Sequence, residues 1–451
     1  MTLRDCARWI AVLATSACGV VPAGRPDRGA GAPAVPAPAG ARRTVDDHAV
    51  QSSQPSSVSA RAPAGPLLAT GGGGHWTWIA GADHSDLGDY GERGQASATT
   101  HPAARDMAAS WIDPRGNFWV FGGVGHDDLW KYDGARWTWV AGSRDSYQLG
   151  SNSPSARFES ACASDRAGNL WLFGGNVVTI AGQPNTERMG NDLWKFDGTR
   201  WMLMSGSRVP GARPPVRGEK GVPSAENDPG SRSGAAAFTD ARGNFWLFGG
   251  FAPSGNTAVF RSDLWRFDGK YWTWVAGSDL PDQPNGDGPG ARFRAAVASD
   301  DNGNVWLFGG SQYSSWLGDL WKLDGQRWTQ LAPSDGPRPD SRQAAIAGID
   351  RAGDFWLFGG MTGPRPQNLG DLWKFDGTHW TLVSSTTHTG EPPTHGRLGV
   401  TSPQTFPGAR VWSSGGWDRI HDHFLLFGGV AVDRRYPNQG EILGDLFRYS
   451  P

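Results

Sequence analysis

Cysteine is scarce in this sequence of 451 residues. Cys6, Cys18 and Cys162 are the three that occur, and Cys162 is the one that lies beyond residue 74. An internal disulfide bond and a metal site made of cysteine thiolates are therefore excluded from residues 75–451. Cys162 lies in the small-residue stretch Ser-Ala-Cys-Ala, and we interpret it as a buried structural thiol.

A large charge of either sign is also lacking, since the formal net charge at pH 7 is −2. Residues 1–74 contain seven arginines and four aspartates, which leaves a net charge of −5 on residues 75–451. A weakly acidic surface does not suit nucleic acid, whose phosphates require basic side chains. No long amphipathic helical pattern is present either. Many short apolar segments between Gly, Asp and Asn indicate an all-β chain.

The first 18 residues are typical of an export signal. Arg4 and Arg8 precede a short apolar run, residues 9–14, that cannot span a bilayer. Small residues before Cys18 resemble a bacterial lipobox, although Thr15 stands where that pattern prefers Leu. We expect export, with Cys18 as a candidate for lipidation. An ordinary cleaved signal and a disordered start are the alternatives.

Residues 19–74 are rich in Ala, Pro, Gly, Ser and Arg. Such a composition lacks the apolar side chains that a core requires. We interpret this segment as a disordered tether, which would place the remaining domain either in the cell envelope as a lipoprotein or outside the cell.

An internal repeat organises residues 75–451. Six Gly-Gly pairs end apolar runs, an arginine lies 17 or 18 residues before each pair, and Asp-Leu-Trp or Asp-Leu-Phe follows it. The arginines are Arg105, Arg157, Arg232, Arg292, Arg342 and Arg410. The aspartates are Asp128, Asp192, Asp263, Asp319, Asp371 and Asp445. A repeat of this length is the signature of an array of identical structural units.

Each unit predicts four strands, which we name a to d. Strand a is small and follows the arginine, strand b is apolar and ends in Gly-Gly, strand c begins at the aspartate, and strand d carries Trp. Six such units predict a six-bladed β-propeller. A strand-d pattern at residues 75–78 precedes the first strand a, and the last unit stops after strand c. The N-terminal strand is therefore expected to complete the last blade, which removes an open sheet edge.

The Gly-Gly pair and the aromatic residue and Trp downstream of it resemble the signature of the Kelch-repeat family, over residues 75–451. The repeat is similar in style to bacterial exported Kelch proteins and to the central domain of galactose oxidase. This resemblance implies a propeller. It implies no single function, because the family includes scaffolds, adhesins and enzymes, among them a sialic-acid mutarotase.

The connections divide the predicted propeller into two faces. The a–b and c–d turns are nearly constant in length, whereas the b–c and d–a loops of the other face vary, and we expect function on the variable face. Three d–a loops share a pattern that begins Gly91-Glu92-Arg93, Gly218-Glu219-Lys220 and Gly396-Arg397-Leu398. Either the three loops share one conformation or they make a repeated ligand contact.

The six arginines allow two interpretations. Each can cross its own Gly-Gly pair to its own aspartate, since two strand spacings are about 10 Å. Alternatively, the six can line the axial mouth and bind an anionic ligand such as the carboxylate of a sialic acid.

Catalytic and metal-binding patterns are weak. Tyr132 and Tyr449 occupy a strand-c position that other units fill with Phe or Leu, so we predict that they belong to the core. His421 and His423 form an isolated pair with no third ligand at fixed spacing. His126-Asp127-Asp128 is interpreted as a solvated loop. We therefore expect no catalytic residue, no metal and no cofactor.

Two functions remain open at this stage. The first is an exported binding module that holds a protein or a glycan on the variable face. The second is a sugar-processing enzyme, an epimerase, mutarotase or oxidase, that uses the axial mouth. Nucleic acid is not expected as a partner, and membrane contact is expected only through lipid on Cys18.

Overall fold

The structure is a computed structural model, and the residues it describes are all in strands, turns and loops. These residues are 74–144, 152–178, 187–254, 257–278, 280, 288–313, 315–325, 327–333, 336–363, 366–385, 390–432 and 440–451. Within them, no helix is long and apolar enough to cross a membrane.

Six antiparallel sheets, each with four principal strands, form the framework of the described residues. Strands are numbered along the chain, and each sheet is given from strand a to strand d. Sheet 1 is β3 (Ala109–Ile112), β4 (Phe118–Phe121), β5 (Leu129–Tyr132) and β6 (Trp137–Ala141). Sheet 2 is β8 (Ala161–Ser164), β9 (Leu170–Phe173), β12 (Leu193–Phe196) and β13 (Trp201–Ser205). Sheet 3 is β14 (Ala236–Thr239), β15 (Phe245–Phe248), β18 (Leu264–Phe267) and β19 (Trp272–Ala276).

The other three sheets repeat this order. Sheet 4 is β20 (Ala296–Ser299), β21 (Val305–Phe308), β24 (Leu320–Leu323) and β25 (Trp328–Leu331). Sheet 5 is β26 (Ile346–Ile349), β27 (Phe355–Phe358), β30 (Leu372–Phe375) and β31 (Trp380–Ser384). Sheet 6 is β33 (Ser414–Asp418), β34 (His423–Val432), β35 (Gly440–Ser450) and β1 (His75–Ala80).

The N-terminal strand completes the last sheet, as predicted. Trp76 lies opposite Tyr449, and Trp78 lies opposite Phe447, in an antiparallel pair between β1 and β35. The six a strands contact one another in a closed cycle, from β3 through β8, β14, β20, β26 and β33 back to β3. The prediction of an all-β propeller with four-stranded blades, closed by the N-terminal strand, is confirmed.

The a strands and the b strands differ in the size of their side chains. Every b strand in sheets 1 to 5 is buried along its whole length, because a neighbouring sheet covers each of its faces. The a strands are rich in small side chains, because these strands meet at the axis. A methyl group added to Gly348 of β26, for example, would lie 2.5 Å from the backbone nitrogen of Trp417.

The strands of each blade have two ends, which lie on opposite faces of the propeller. We call the end that carries the a–b and c–d turns the turn edge, and the end that carries the b–c and d–a connections the loop edge. Further short strands occur in the b–c and d–a connections. They are β2 (Ala96–Ser97), β7 (Arg157–Phe158), β10 (Asn176–Val178), β11 (Glu187–Met189), β16 (Phe251–Ser254), β17 (Thr257–Phe260), β22 (Ser311–Gln312), β23 (Ser315–Trp316), β28 (Met361–Thr362), β29 (Gln367–Asn368) and β32 (Arg410–Val411).

Candidate functional site at the loop edge and axial mouth

A buried arginine–aspartate pair lies at the loop edge of every blade. In each pair the two guanidinium nitrogens Nη1 and Nη2 donate to the two carboxylate oxygens of the aspartate, and the Nη1 to Oδ1 distances are 2.6–2.9 Å. The pairs are Arg105–Asp128, Arg157–Asp192, Arg232–Asp263, Arg292–Asp319, Arg342–Asp371 and Arg410–Asp445. Two-point contacts of this kind are the strongest form of the Arg–carboxylate interaction.

The Gly-Gly pair lies between the two partners and makes two further contacts. The first glycine accepts from the arginine, as Gly122 C=O does from Arg105 at 3.0 Å. The second glycine donates its N–H to the next blade, as Gly123 does to the Arg157 carbonyl at 3.0 Å. The last link of this series is Gly429 N–H to the Arg105 carbonyl at 2.9 Å, which joins blade 6 to blade 1. The repeat thus encodes contacts between blades as well as within them.

These pairs leave the arginines unsuited to ligand capture. The arginine side chains are only 0–3% exposed, and each guanidinium already contacts a carboxylate and a glycine carbonyl. Burial alone would raise the pKa of Asp263, but Arg232 and Arg217 hold it at about 2. The interpretation of the six arginines as an anion site is therefore corrected: they have a structural role, because the ligand they could bind is the aspartate of their own blade.

The three loops with a shared pattern supply a further partner to this network. The residue before the first glycine of the pattern contacts Oδ2 of the blade's aspartate: Tyr90 donates to Asp128 at 2.6 Å, Arg217 to Asp263 at 2.6 Å, and His395 Nε2 lies 2.7 Å from Asp445. A later glycine of each loop donates its N–H to a strand-d Trp carbonyl, as Gly94 does to Trp139 at 2.8 Å. This arrangement favours a shared loop conformation over a repeated ligand contact.

A ring of residues with positive φ surrounds the axial mouth at the loop edge. The residue two positions after each arginine has a φ of 54–59°. We call these six residues the mouth ring: Met107, Glu159, Gly234, Arg294, Ala344 and Trp412. The N–H of a ring residue donates to the carbonyl of the ring residue in an adjacent blade at 2.8–3.0 Å, and five such hydrogen bonds join consecutive blades. A non-glycine residue in this conformation costs about 1–2 kcal/mol, and residues of this kind cluster at functional sites.

The mouth ring combines charged, aromatic and small side chains. The guanidinium of Arg294 pairs with the carboxylate of Glu159 across the intervening blade, and it also lies 5.5 Å from the ring centroid of Trp412. The Trp412 indole N–H is buried and has no hydrogen-bond partner among the described residues. Burial raises the pKa of neighbouring Asp106 to about 6, and the carboxylate of Glu159 adds to that effect. The cavity at this mouth has a volume of about 150 Å³.

A larger cavity, of about 700 Å³, opens at the opposite end of the axis, on the turn edge. Its wall consists largely of a-strand residues, and some of their small side chains donate to the preceding blade. Cys162 Sγ donates to the Ser110 carbonyl at 3.3 Å, and Thr239 Oγ1 donates to the Ser164 carbonyl at 2.7 Å. Burial raises the pKa of the Cys162 thiol to about 11, in keeping with a structural thiol.

Two other sequence interpretations can be compared with the structure. Tyr132 and Tyr449 are buried in the core, as predicted. The interpretation of residues 126–128 as solvated is wrong for its two aspartates. Asp127 is buried and accepts from the backbone N–H and the hydroxyl of Ser143, and Asp128 belongs to the blade 1 arginine pair. Burial and the nearby Arg105 lower the pKa of His126 to about 4.

The expectation that His421 and His423 lack a third ligand is also wrong. Asp418 Oδ2 lies 2.6 Å from His421 Nδ1 and 3.4 Å from His423 Nε2. Asp418 gives no separate signal as a ligand in the sequence, because it occupies the position of the aspartate that stabilises the a–b turn in the other blades. The mouth ring was overlooked too, although its constant offset from the arginines is visible in the sequence, with Gly234 at one position as a hint of positive φ.

Exposed apolar side chains concentrate in the variable connections between strands. Ten large hydrophobic residues are exposed among the described residues, and nine lie in b–c or d–a connections. Those nine are Leu87, Val124, Val209, Val216, Val222, Leu280, Tyr313, Leu398 and Val400. The tenth, Ile420, is in an a–b turn at the turn edge. The d–a connections also run along the outer side of strand d, where Gly221 donates its N–H to the Trp274 carbonyl and Gly399 to the Trp78 carbonyl.

Comparisons with known proteins agree with this architecture. A family model described as the KLHDC2/KLHL20/DRC7 Kelch-repeats domain matches residues 220–401. A solved structure titled "Structure of YjhT" is 14% identical, with a TM-score of 0.51 over 76% of this chain and 95% of that chain. At this identity, the likeness shows the fold alone. No curated protein matches the chain.

Proposed function

We propose that this chain, which belongs to the Kelch-repeat β-propellers, is an exported interaction module that binds a protein partner at its loop edge. The observation that carries the proposal is the placement of nine of the ten exposed large hydrophobic residues in the variable b–c and d–a connections. When a partner protein covers apolar side chains on loops, their surface is removed from contact with water, and this favours association. A rigid sheet scaffold beneath variable loops is a common arrangement for binding sites.

The mouth ring supplies a central anchor for such an interface. Arg and Trp side chains are enriched among the residues that contribute most to binding energy, especially near the centre of a contact surface. Arg294 and Trp412 lie together at the centre of the loop edge, where the guanidinium is 5.5 Å from the indole ring centroid.

Two exposed residues of similar exposure allow a matched test. Tyr313, at the loop edge, is 46% exposed, and Ile420, at the turn edge, is 48% exposed. A photo-crosslinking amino acid placed at Tyr313 in the native host should give a discrete protein adduct, and the same group at Ile420 should not. The partner identified by mass spectrometry should bind Tyr313→Ser more weakly than the wild type and bind Ile420→Ser unchanged. Equal adducts at both positions, or none at Tyr313, would contradict the proposal.

A sugar-processing enzyme at the axial mouth is the second candidate, and one observation favours it. The carboxylate of Glu159 lines the mouth cavity beside Arg294. A carboxylate at a cavity wall is a group that general acid–base chemistry uses. However, the 150 Å³ mouth is smaller than the cavities of about 300–1,000 Å³ that usually hold small ligands. A glycan array followed by a turnover assay separates the two candidates: product formation would favour the enzyme, whereas binding without turnover would favour a glycan-binding module.

Export is a further part of the proposal, and it rests on residues 1–18, which lie outside the described residues. Mass spectrometry of the mature N-terminus in the native host tests it. A diacylglycerol group on Cys18 would support a lipid anchor, and a free N-terminus nearby would support secretion. An intact Met1 in the cytoplasm would reject both.

A further inference from the structure

The a–b turn of blade 6 departs from the arrangement that blades 1, 2 and 3 share. In blades 1, 2 and 3 the turn begins with an aspartate whose side chain accepts from the turn backbone, from an Asn amide and from a Trp indole N–H. In blade 2, Asp165 accepts from Ala167 N at 3.0 Å, from Asn169 Nδ2 at 2.8 Å and from Trp171 Nε1 at 3.0 Å. Blades 1 and 3 repeat these contacts at Asp113 and Asp240.

Blade 6 replaces both side-chain donors. Counted back from Gly428, the first glycine of its Gly-Gly pair, His423 takes the Asn position and Leu425 takes the Trp position. One additional residue lengthens the turn, which brings His421 to the same carboxylate. Asp418 Oδ2 therefore lies against two imidazole nitrogens in place of an amide and an indole, and the three potential ligand atoms are all within 4.8 Å of one another.

Neighbouring residues fix the positions of Asp418, His421 and His423. Asp418 is 1% exposed, and its other oxygen, Oδ1, accepts from the backbone N–H of Ile420 at 2.9 Å and of His421 at 3.3 Å. His423 is 13% exposed, whereas His421 is half exposed, so that one side of the cluster faces solvent. Gly116 of blade 1 packs against the cluster, since a methyl group there would lie 2.9 Å from the His421 ring.

We propose that Asp418, His421 and His423 bind a divalent first-row transition-metal cation of the Zn²⁺ class. Two imidazoles and one carboxylate are ligands that such cations prefer, and a solvent-facing fourth position suits a water ligand. The cation would replace the hydrogen bond between Asp418 and His421 and would join the two strands of the turn, β33 and β34. Because these strands belong to the blade that the N-terminal β1 completes, bound metal should stabilise the closure of the propeller.

His423→Asn is the informative variant, because it restores the residue that blades 1, 2 and 3 use and removes one ligand. His379→Asn, an exposed histidine in the c–d turn of blade 5, is the matched control. The full chain, freed of any histidine tag and stripped of metal with a chelator, is titrated with ZnCl₂ by calorimetry. Parallel titration with Co²⁺ reports coordination through its visible d–d absorption.

The wild type and His379→Asn should each bind one Zn²⁺ at this site, and Zn²⁺ should raise their unfolding temperature. Loss of a direct ligand should weaken binding in His423→Asn by about 100-fold or more, since even residues outside the coordination shell change affinity about 10- to 100-fold. Equal affinity in wild type and His423→Asn would overturn the proposal, as would the absence of a Co²⁺ d–d band in the wild type. In the first outcome zinc binds elsewhere, and in the second the three residues form only a hydrogen-bonded cluster.

Discussion

Replacing Asp263 by Asn should reveal how much one buried arginine–aspartate pair contributes to stability. The substitution keeps the shape of the side chain and removes its charge, which leaves Arg232 and Arg217 next to a neutral amide in a buried site. Breaking a buried ion pair by removing one partner typically costs about 3–5 kcal/mol. We expect the free energy of unfolding to fall by this amount.

The pH dependence gives a second estimate of the same interaction. The pKa of Asp263 is about 2 in the folded chain, and about 3.9 is usual for an unfolded aspartate. The difference corresponds to about 2–3 kcal/mol of stability. Because the folded pKa is the lower one, this stability is fully present above about pH 4 and is lost as the pH falls towards 2. This value is smaller than the one expected for Asp263→Asn. Protonation leaves two carboxyl oxygens beside the arginines, whereas the asparagine replaces one of these oxygens with an NH₂ group.

Urea unfolding at a series of pH values measures both quantities. Asp301→Asn is the control, since Asp301 is 81% exposed and its ion pair with Arg419 should contribute less than about 1 kcal/mol. Replacing both Arg232 and Asp263 by apolar residues of similar volume should recover part of the loss, because no unpaired charge from that pair then stays buried. A loss in Asp263→Asn no larger than in Asp301→Asn would refute the reasoning. An acid dependence as steep in Asp263→Asn as in the wild type would also contradict it.

The remaining predictions concern closure, thiol reactivity and backbone strain. Deleting residues 445–451 removes the partner of the N-terminal strand and should give insoluble or protease-sensitive protein; a soluble product with an unchanged unfolding temperature would argue against closure by β1. The Cys162 thiol, with a pKa near 11, should resist iodoacetamide at pH 8 in the folded chain and react in urea, as peptide mass spectrometry would show. Ala344→Gly should raise the free energy of unfolding by up to about 1 kcal/mol, because φ is 54° there, whereas Ala345→Gly should lower it by about 0.5–1 kcal/mol. Destabilisation by Ala344→Gly in urea melts would be inconsistent with strain at the mouth ring.

The framework of the fold could be predicted from the sequence because each element of the repeat is enforced by local chemistry. An Arg 17 or 18 residues before a Gly-Gly pair, with an Asp at the start of the next principal strand, can be satisfied in one way by three adjacent strands, and the structure contains that arrangement in all six blades. The second glycine was predicted only as a place without a side chain. Its donation to the next blade, as from Gly123 to the Arg157 carbonyl, depends on how blades pack and has no signal within a single repeat.

The loop contacts could not be predicted for a different reason. Tyr90, Arg217 and His395 perform one task, which is to contact the second oxygen of the blade's aspartate, but they share no chemical class. Blades 1 and 3 also keep a Trp whose indole N–H donates to the same oxygen. In blade 6 Phe447 stands at that position, so that His395 and Arg410 are the side chains that contact Asp445 Oδ2. A pattern of residue types conceals such an exchange, and only the geometry reveals it.

Departures from the repeat therefore carry more functional information than the repeat itself. A position that serves the scaffold is constrained to the same residue in every blade, whereas a position freed from that task can acquire a different one. The mouth ring illustrates this: its backbone conformation is constant, yet its six side chains range from Gly234 to Trp412, which is how a uniform scaffold can present a specific surface at its centre. The a–b turn of blade 6 illustrates it again, since His423 stands where four other blades have Asn and changes a turn-stabilising aspartate into one ligand of a three-residue cluster. Among side chains at equivalent positions, the one that breaks the rule of its neighbours is the first to substitute when function is tested.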